Sequence, residues 1–248
     1  MQQPVEVVRI IRRSTQGVTN PFLCEGADGN LYWAKGNNAG KRALCCEWLA
    51  GRLALKIGLP LPPIAVLRVP KEILDNGMGQ SFAELGSGLV FGSCHIEGAQ
   101  ELGFEDAMTV IRKQPELADK MLVFDWWIRN EDRTLGEKGG NPNILICVVD
   151  RQVHIIDHNI AFDRNWDEGK FFADHVFSSR RNIFTPNWLL AFRDTLRQGY
   201  AEIEAVWAEM PDDWKYHDSE LTLPVDISIE EVRGILDRVE TEWDGVWK

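Results

Sequence analysis

The sequence predicts an α+β fold in two lobes: a small β-rich amino-terminal lobe with one helix over residues 1–98, and a mainly helical carboxy-terminal lobe over 99–248. Three observations predict it. β-branched and aromatic runs crowd the first hundred residues. One apolar pattern of helical period interrupts them, and from about residue 104 long apolar stretches at helical spacing take over. At 248 residues, 44% hydrophobic and 26% charged, the chain is long enough to bury a core in each lobe and too ordinary in composition for disorder or a fibrous repeat.

Taken in order, residues 5–11 (VEVVRII) and 30–35 (NLYWAK) read as strands, joined by a segment whose turn punctuation is Thr19-Asn20-Pro21 and Gly26 to Gly29. Between 41 and 57, Leu44, Trp48 and Leu55 with Cys45, Leu49 and Leu53 recur at helical spacing, and the run stops at Gly58-Leu59-Pro60-Leu61-Pro62-Pro63. Residues 64–69 and 88–96 read as strands around a loop at Asp75 to Gly79. Residues 104–113 and 116–129 read as helices, the second ending into Asn130-Glu131-Asp132-Arg133. The β-branched runs 144–149 and 153–156 suit a hairpin turning at Asp150 to Gln152. Pro186 opens a helix reaching Trp207, and the Ser228/Glu231 capping box starts another through Ile229, Val232, Ile235, Val239 and Trp243. No internal repeat is present.

Lys and Arg number 27 against 38 Asp and Glu, and a formal charge of −11 disfavours general nucleic-acid binding. The imbalance is uneven: residues 1–60 carry eight cations and four acids, residues 201–248 four and fourteen. The basic end suits an anionic small molecule. The five cysteines are odd in number, contain no C-x-x-C pair and sit in apolar or mixed segments, as expected of buried thiols in a reducing cytoplasm. With no span of roughly 20 apolar residues and no signal core, a cytoplasmic protein without membrane attachment is expected. The histidines lack a zinc-ligand spacing, and no nucleophile elbow occurs. Trp214, Trp243 and Trp247, near the acidic end, read as core fillers or, where exposed, as a partner surface.

The chemistry concentrates in Asp125 to Thr134, Asn141-Pro142-Asn143 and His154 to Asp157. A helix, a loop ending in Asn and a strand pair ending in Asp would bring Asp132, Asn143 and Asp157 to one cleft. Phosphoryl transfer needs such a set: a carboxylate to position the attacking hydroxyl, and an amide with a second carboxylate to hold Mg²⁺ on the phosphates. Singly, each is an ordinary turn or cap residue; order and spacing carry the reading. A nucleotide site also needs an early-strand lysine and a helix acid to hold it, which Lys35 and Glu47 supply. The phosphate loop is sparser. The segment Arg12 to Pro21 has one glycine, Gly17, with Ser14 and Thr15 beside it, and matches neither G-x-G-x-x-G nor a Walker loop.

Together, Leu31-Tyr-Trp-Ala-Lys35-Gly36, the Glu47-Trp-Leu-Ala-Gly-Arg-Leu-Ala54 helix with Gly58 to Pro63, Phe91-Gly-Ser93, Phe124 to Arg133, Asn141-Pro-Asn-Ile-Leu145 and Ile156-Asp-His158 resemble the HipA-like kinases, in particular their short single-chain branch. That family is distantly similar in fold to protein kinases and phosphatidylinositol kinases, and the resemblance spans about residues 5–165. It implies a bilobal protein-kinase-like fold. Lys35 would bind the ATP phosphates, Glu47 would anchor Lys35, Asp132 would be the catalytic-loop carboxylate, and Asn143 with Asp157 would hold Mg²⁺. Ser93 to Glu97, including His95, would be the hinge that reads adenine through its backbone. Asn141 competes with Asn143 for the metal, and His158-Asn159 follow Asp157 where protein kinases have Phe-Gly. The activity implied is transfer of the γ-phosphoryl group of ATP to a Ser/Thr hydroxyl of a protein, itself included, with an inhibitory antitoxin as a further partner. Competing readings are AMP transfer on the same fold, a small-molecule kinase, a catalytically silent binding module and, ranked last, a lipid head-group kinase.

Overall fold

A computed structural model of the chain describes residues 3–15, 19–75, 82–136 and 139–247. Its strands are β1 Val5–Arg13, β2 Phe22–Gly26, β3 Leu31–Lys35, β4 Ile64–Val69, β5 Gly88–Cys94, β6 Ala99–Glu101, β7 Thr134–Gly136, β8 Gly139–Asn141, β9 Ile144–Cys147 and β10 Val153–Ile155. Its α-helices are α1 Lys41–Lys56, α2 Phe104–Lys113, α3 Pro115–Trp127, α4 Glu168–Asp174, α5 Pro186–Ala201, α6 Ile203–Glu209, α7 Asp212–Lys215, α8 Ile229–Leu236, α9 Arg238–Thr241 and α10 Trp243–Val246. The chain forms two compact units. One comprises Met1–Trp48, Pro62–Glu97 and Ala208–Ile227; the other comprises Leu49–Leu61, Gly98–Trp207 and Ser228–Lys248.

In the first unit the strands close into a barrel in the order β1-β2-β3-β5-β4, sealed by a parallel β1/β4 pair. Alternation along each strand puts Val7, Phe22, Cys24, Tyr32, Ala34, Leu67 and Val90 in the core, so the neighbours Trp33 and Lys35 face outward. β2 corrects the sequence reading, which takes this stretch as a connecting loop. Phe22-Leu-Cys-Glu-Gly26 is short and bounded by turn residues, but it pairs on both edges, with β1 and β3, and ladder pairing decides its state. Residues 208–227 return to this unit: Trp214 Nε1 donates to the Leu89 carbonyl at 2.8 Å, and its ring meets Trp48 edge-on at 6.2 Å. The sequence-predicted strand 88–96 ends at Cys94, and the predicted loop at Asp75 to Gly79 lies, beyond Asp75, outside the described residues.

Helix α1 ends where its residues dictate. Gly58 takes a left-handed φ of +76°, and Leu59 N–H returns to the Ala54 carbonyl at 2.9 Å, a glycine cap that the following prolines make final.

In the second unit, β10-β9-β6 form a three-stranded sheet and β7-β8 a hairpin. Helix α3 is buried from Met121 through Trp127, a stretch that is apolar except for Asp125. It stops at Trp127, short of the predicted Arg129. Arg129 adopts a φ of +50° and Asn130 N–H bonds back to the Asp125 carbonyl at 2.9 Å, so Asp132 lies in an extended loop beyond the helix. The helix predicted to run from Pro186 to Trp207 breaks at Glu202 into α5 and α6, and the one after Ser228 breaks into α8, α9 and α10. Ser228 caps α8 as its sequence pattern implies, accepting from Glu231 N–H at 3.2 Å. Trp214, Trp243 and Trp247 are all buried, so they fill cores and do not form an exposed partner surface. No helix among the described residues is long and apolar enough to cross a membrane.

Candidate functional site

Two constellations stand out, one in each unit. In the first, Lys35 ends β3 and its Nζ lies 2.5 Å from Oε1 of Glu47 on α1, with both side chains almost wholly buried. Burying two charges costs solvation that an ion pair only partly returns, and the Glu47 carboxylate fixes the Lys35 ammonium in place. Small residues make the exit from Lys35 tight. A Cβ on Gly36 would stand 2.1 Å from the Leu85 carbonyl oxygen. Asn38, which sequence reasoning missed, accepts from Gly36 N–H at 3.0 Å and donates to the Thr19 carbonyl at 2.6 Å. Its side chain therefore ties the turn after Lys35 to the far end of the predicted phosphate loop. Ser14 closes that loop's base by donating its N–H to Pro21 at 2.7 Å, Thr15 is exposed, and Gly17 lies outside the described residues.

The predicted hinge begins on β5, where Ser93 pairs with Trp33 on one side and Ile64 on the other. Cys94 N–H is taken by the Pro63 carbonyl and His95 N–H by Leu31, both at 2.8 Å. Glu97 is exposed. Backbone donors for a ligand are thus to be sought at Ile96 and Glu97.

In the second unit, Asn141 Nδ2 and Asn143 Nδ2 both donate to Oδ2 of Asp132, at 2.7 and 3.0 Å. A carboxylate only accepts, so both amides must present their NH₂ groups to it and turn their oxygens elsewhere. Asn143 stands just before β9, and its carbonyl accepts Ile156 N–H at 2.9 Å. The β9–β10 register therefore carries Asn143 and Asp157 to the same end of the hairpin. Both adopt left-handed backbone, φ +49° and +56°, a conformation that Asn and Asp bear more cheaply than other side chains and that gathers at functional sites.

The sequence gives no hint of what holds this loop. Arg133, fully buried, sends Nε to Asp125 Oδ2 at 2.6 Å and Nη1 to the carbonyls of Asn143 at 2.5 Å and Ile156 at 3.4 Å. Its Nη2 faces His158 Nε2 at 3.1 Å, so that nitrogen is the acceptor. His175 Nδ1 accepts Phe177 N–H at 3.1 Å, which leaves Nε2–H to donate to Asp125 at 3.1 Å. Burial pushes the Asp125 carboxyl upward, but the Arg133 charge and the His175 hydrogen bond outweigh it and hold the group well below the usual carboxylate range. Burial lowers His175 against the opposing pull of Asp125, consistent with a neutral ring. One guanidinium thus fixes the carbonyls of Asn143 and of the residue before Asp157.

Asn143 Oδ1 and the Asp157 carboxylate are hard oxygen donors that suit Mg²⁺, which takes few protein ligands and completes its shell with phosphate oxygens and water. No cluster of three or more His, Cys, Asp or Glu able to hold a metal occurs among the described residues. Burial pushes the Cys24 and Cys45 thiols up to about 12, which disfavours thiolate chemistry at those two positions.

The whole chain is similar in fold to known kinases. It matches the crystal structure of the Helicobacter pylori proinflammatory kinase CtkA at 13% identity and a TM-score of 0.52, covering 98% of this chain and 96% of that one. It matches the Golgi casein kinase with Mn/ADP bound at 12% identity and a TM-score of 0.50, covering 99% and 73%. No curated protein matches the sequence. At such identities structural likeness speaks for the fold alone. The family is shown by the sequence itself: residues 7–247 match the model of the HipA-like kinase, and the chain belongs to that family.

Proposed function

We propose that this protein is an ATP- and Mg²⁺-dependent phosphotransferase that passes the γ-phosphoryl group to a Ser/Thr hydroxyl of a protein, itself included. The observation that carries the reading is the Asp132 carboxylate, clamped through one oxygen by two amides; among the described residues no donor engages its Oδ1. A carboxylate so held orients an incoming hydroxyl and accepts its proton as the oxygen bonds to the γ-phosphorus and the bond to the bridging oxygen of ADP breaks. Lys35, held by Glu47, meets the nucleotide phosphates. Asn143 and Asp157 hold the metal, which when bound neutralises phosphate charge. The five free cysteines suit a reducing cytoplasm.

Intact mass after incubation with Mg²⁺-ATP tests this on wild type, Asp132→Ala and Asp157→Asn. Phosphoryl mass in the wild type alone is the expected result. A nucleotidyl gain would move the assignment to AMP transfer, and a nucleotide-induced thermal shift without gain would point to an external protein substrate. Neither gain nor shift would leave a silent binding module.

A further inference from the structure

We infer that the second unit carries a binding site for a small organic carboxylate, in a cavity of about 690 Å³ walled by the α2–α3 junction and the outer edge of β10. The inference goes beyond phosphoryl transfer, because none of Lys35, Glu47, Asp132, Asn141, Asn143 or Asp157 lines this cavity. Its volume is that of a site for an ordinary small molecule.

The charge on the wall sets the charge of the occupant. The ionised side chains there are Lys113, Lys120 and Glu116, two positive and one negative. Lys120 Nζ lies 2.9 Å from Glu116 Oε1, and Lys113 makes no ion pair among the described residues, so one cation is left over. Burial holds His154 below the ordinary imidazole range against the pull of Asp150, so its ring is neutral and adds nothing. One negative charge balances this wall, and the Glu116 carboxylate opposes a second.

The edge of β10 supplies a donor beside that cation. Ile156 N–H reaches the Asn143 carbonyl and Cys147 N–H the Gln152 carbonyl, so the backbone groups of the even-numbered residues turn toward β9 and those of Val153 and Ile155 turn away. On that outer edge Ile155 N–H is taken by the Pro60 carbonyl at 2.8 Å, and both Pro60 and Val153 line the cavity. The Val153 N–H therefore faces it, and an oxyanion is the complement of a backbone N–H near an ammonium. On the same wall, His154 Nδ1 is buried with no partner among the described residues, a group that an acceptor from outside the chain would satisfy. Pro60, Pro115 and Leu117 add apolar surface, which suits a carboxylate joined to an apolar body.

Titration of ¹⁵N-labelled protein with benzoate, followed at the Val153 amide resonance, tests the inference, with benzamide as the uncharged counterpart. Benzoate should shift that resonance saturably, and benzamide should bind at least about threefold more weakly. Lys113 is exposed, so Lys113→Met should fold as the wild type does and weaken benzoate about two- to fivefold. Glu116→Gln, which removes the opposing charge and releases Lys120, should tighten it about twofold. Affinity for Mg²⁺-ATP should stay within about twofold of wild type in both variants. A Val153 resonance that benzoate leaves unmoved, equal affinity for benzoate and benzamide, or wild-type benzoate affinity in both variants overturns the site and leaves the phosphotransferase reading standing.

Discussion

At the scale of single residues, the pair Asp125 and Arg133 sets the strongest expectation. Both are fully buried, and Asp125→Asn would leave the guanidinium without its counter-charge; breaking such a pair costs about 3–5 kcal/mol, read as a lower urea midpoint with an unchanged slope. The same site makes stability depend on pH with a definite sign. The Asp125 carboxyl titrates lower folded than unfolded, so its contribution is complete above the unfolded value of about 3.9 and is lost as pH falls toward the folded one. His175 adds an earlier step of the same sign: below about 6.5 the unfolded chain takes up a proton that the buried ring resists. The urea midpoint should therefore decline from about pH 7 to about pH 5, and His175→Gln should flatten that part of the curve. A midpoint that rises on acidification would contradict the neutral, buried assignment of His175.

At the scale of elements, the β7–β8 hairpin delivers Asn141 to Asp132, and Gly140 is what lets it close. A Cβ there would stand 2.5 Å from the Thr134 carbonyl oxygen and 2.8 Å from the Leu135 Cα, both backbone atoms that cannot step aside. Gly140→Ala should lower phosphoryl transfer at least about tenfold through displaced carboxylate geometry, with Mg²⁺-ATP affinity retained. Ser228→Ala is the contrasting case, expected to cost about 1 kcal/mol of stability through the lost cap and nothing in activity. These two elements also show what a sequence can disclose. Helices α1, α2 and α3 were legible because of local signals: the apolar period of α1 and its stop at Gly58, and the long apolar run of α3. The three-residue strands β6, Ala99–Glu101, and β8, Gly139–Asn141, carry no β-rich composition, and β2 is short and punctuated; they exist because partners arrive from elsewhere in the chain. Among candidate site residues, the Lys35–Glu47 pair and the gathering of Asp132 with Asn143 were readable from spacing. Arg133 was not, because only folding brings within its reach the Asp125 carboxylate, His158 and the two backbone carbonyls that it bonds.

At the scale of the molecule, the order of packing departs from the order of synthesis. Residues 208–227 are made late and belong to the barrel unit, where Trp214 seals against Trp48 and Leu89 and its carbonyl accepts from Cys45 Sγ at 3.4 Å. Lys41 Nζ, at the start of α1, reaches the Tyr216 carbonyl at 2.5 Å. Trp214→Ala should cost about 3–5 kcal/mol, a large tryptophan-to-alanine loss for a residue far from Lys35 in sequence, and should lower the thermal midpoint with and without nucleotide. The returning segment also bears on dissecting the protein. A fragment ending at Glu97 would carry Lys35, Glu47 and the predicted hinge yet present a raw apolar wound where Trp214 belongs. Expressed alone it should aggregate.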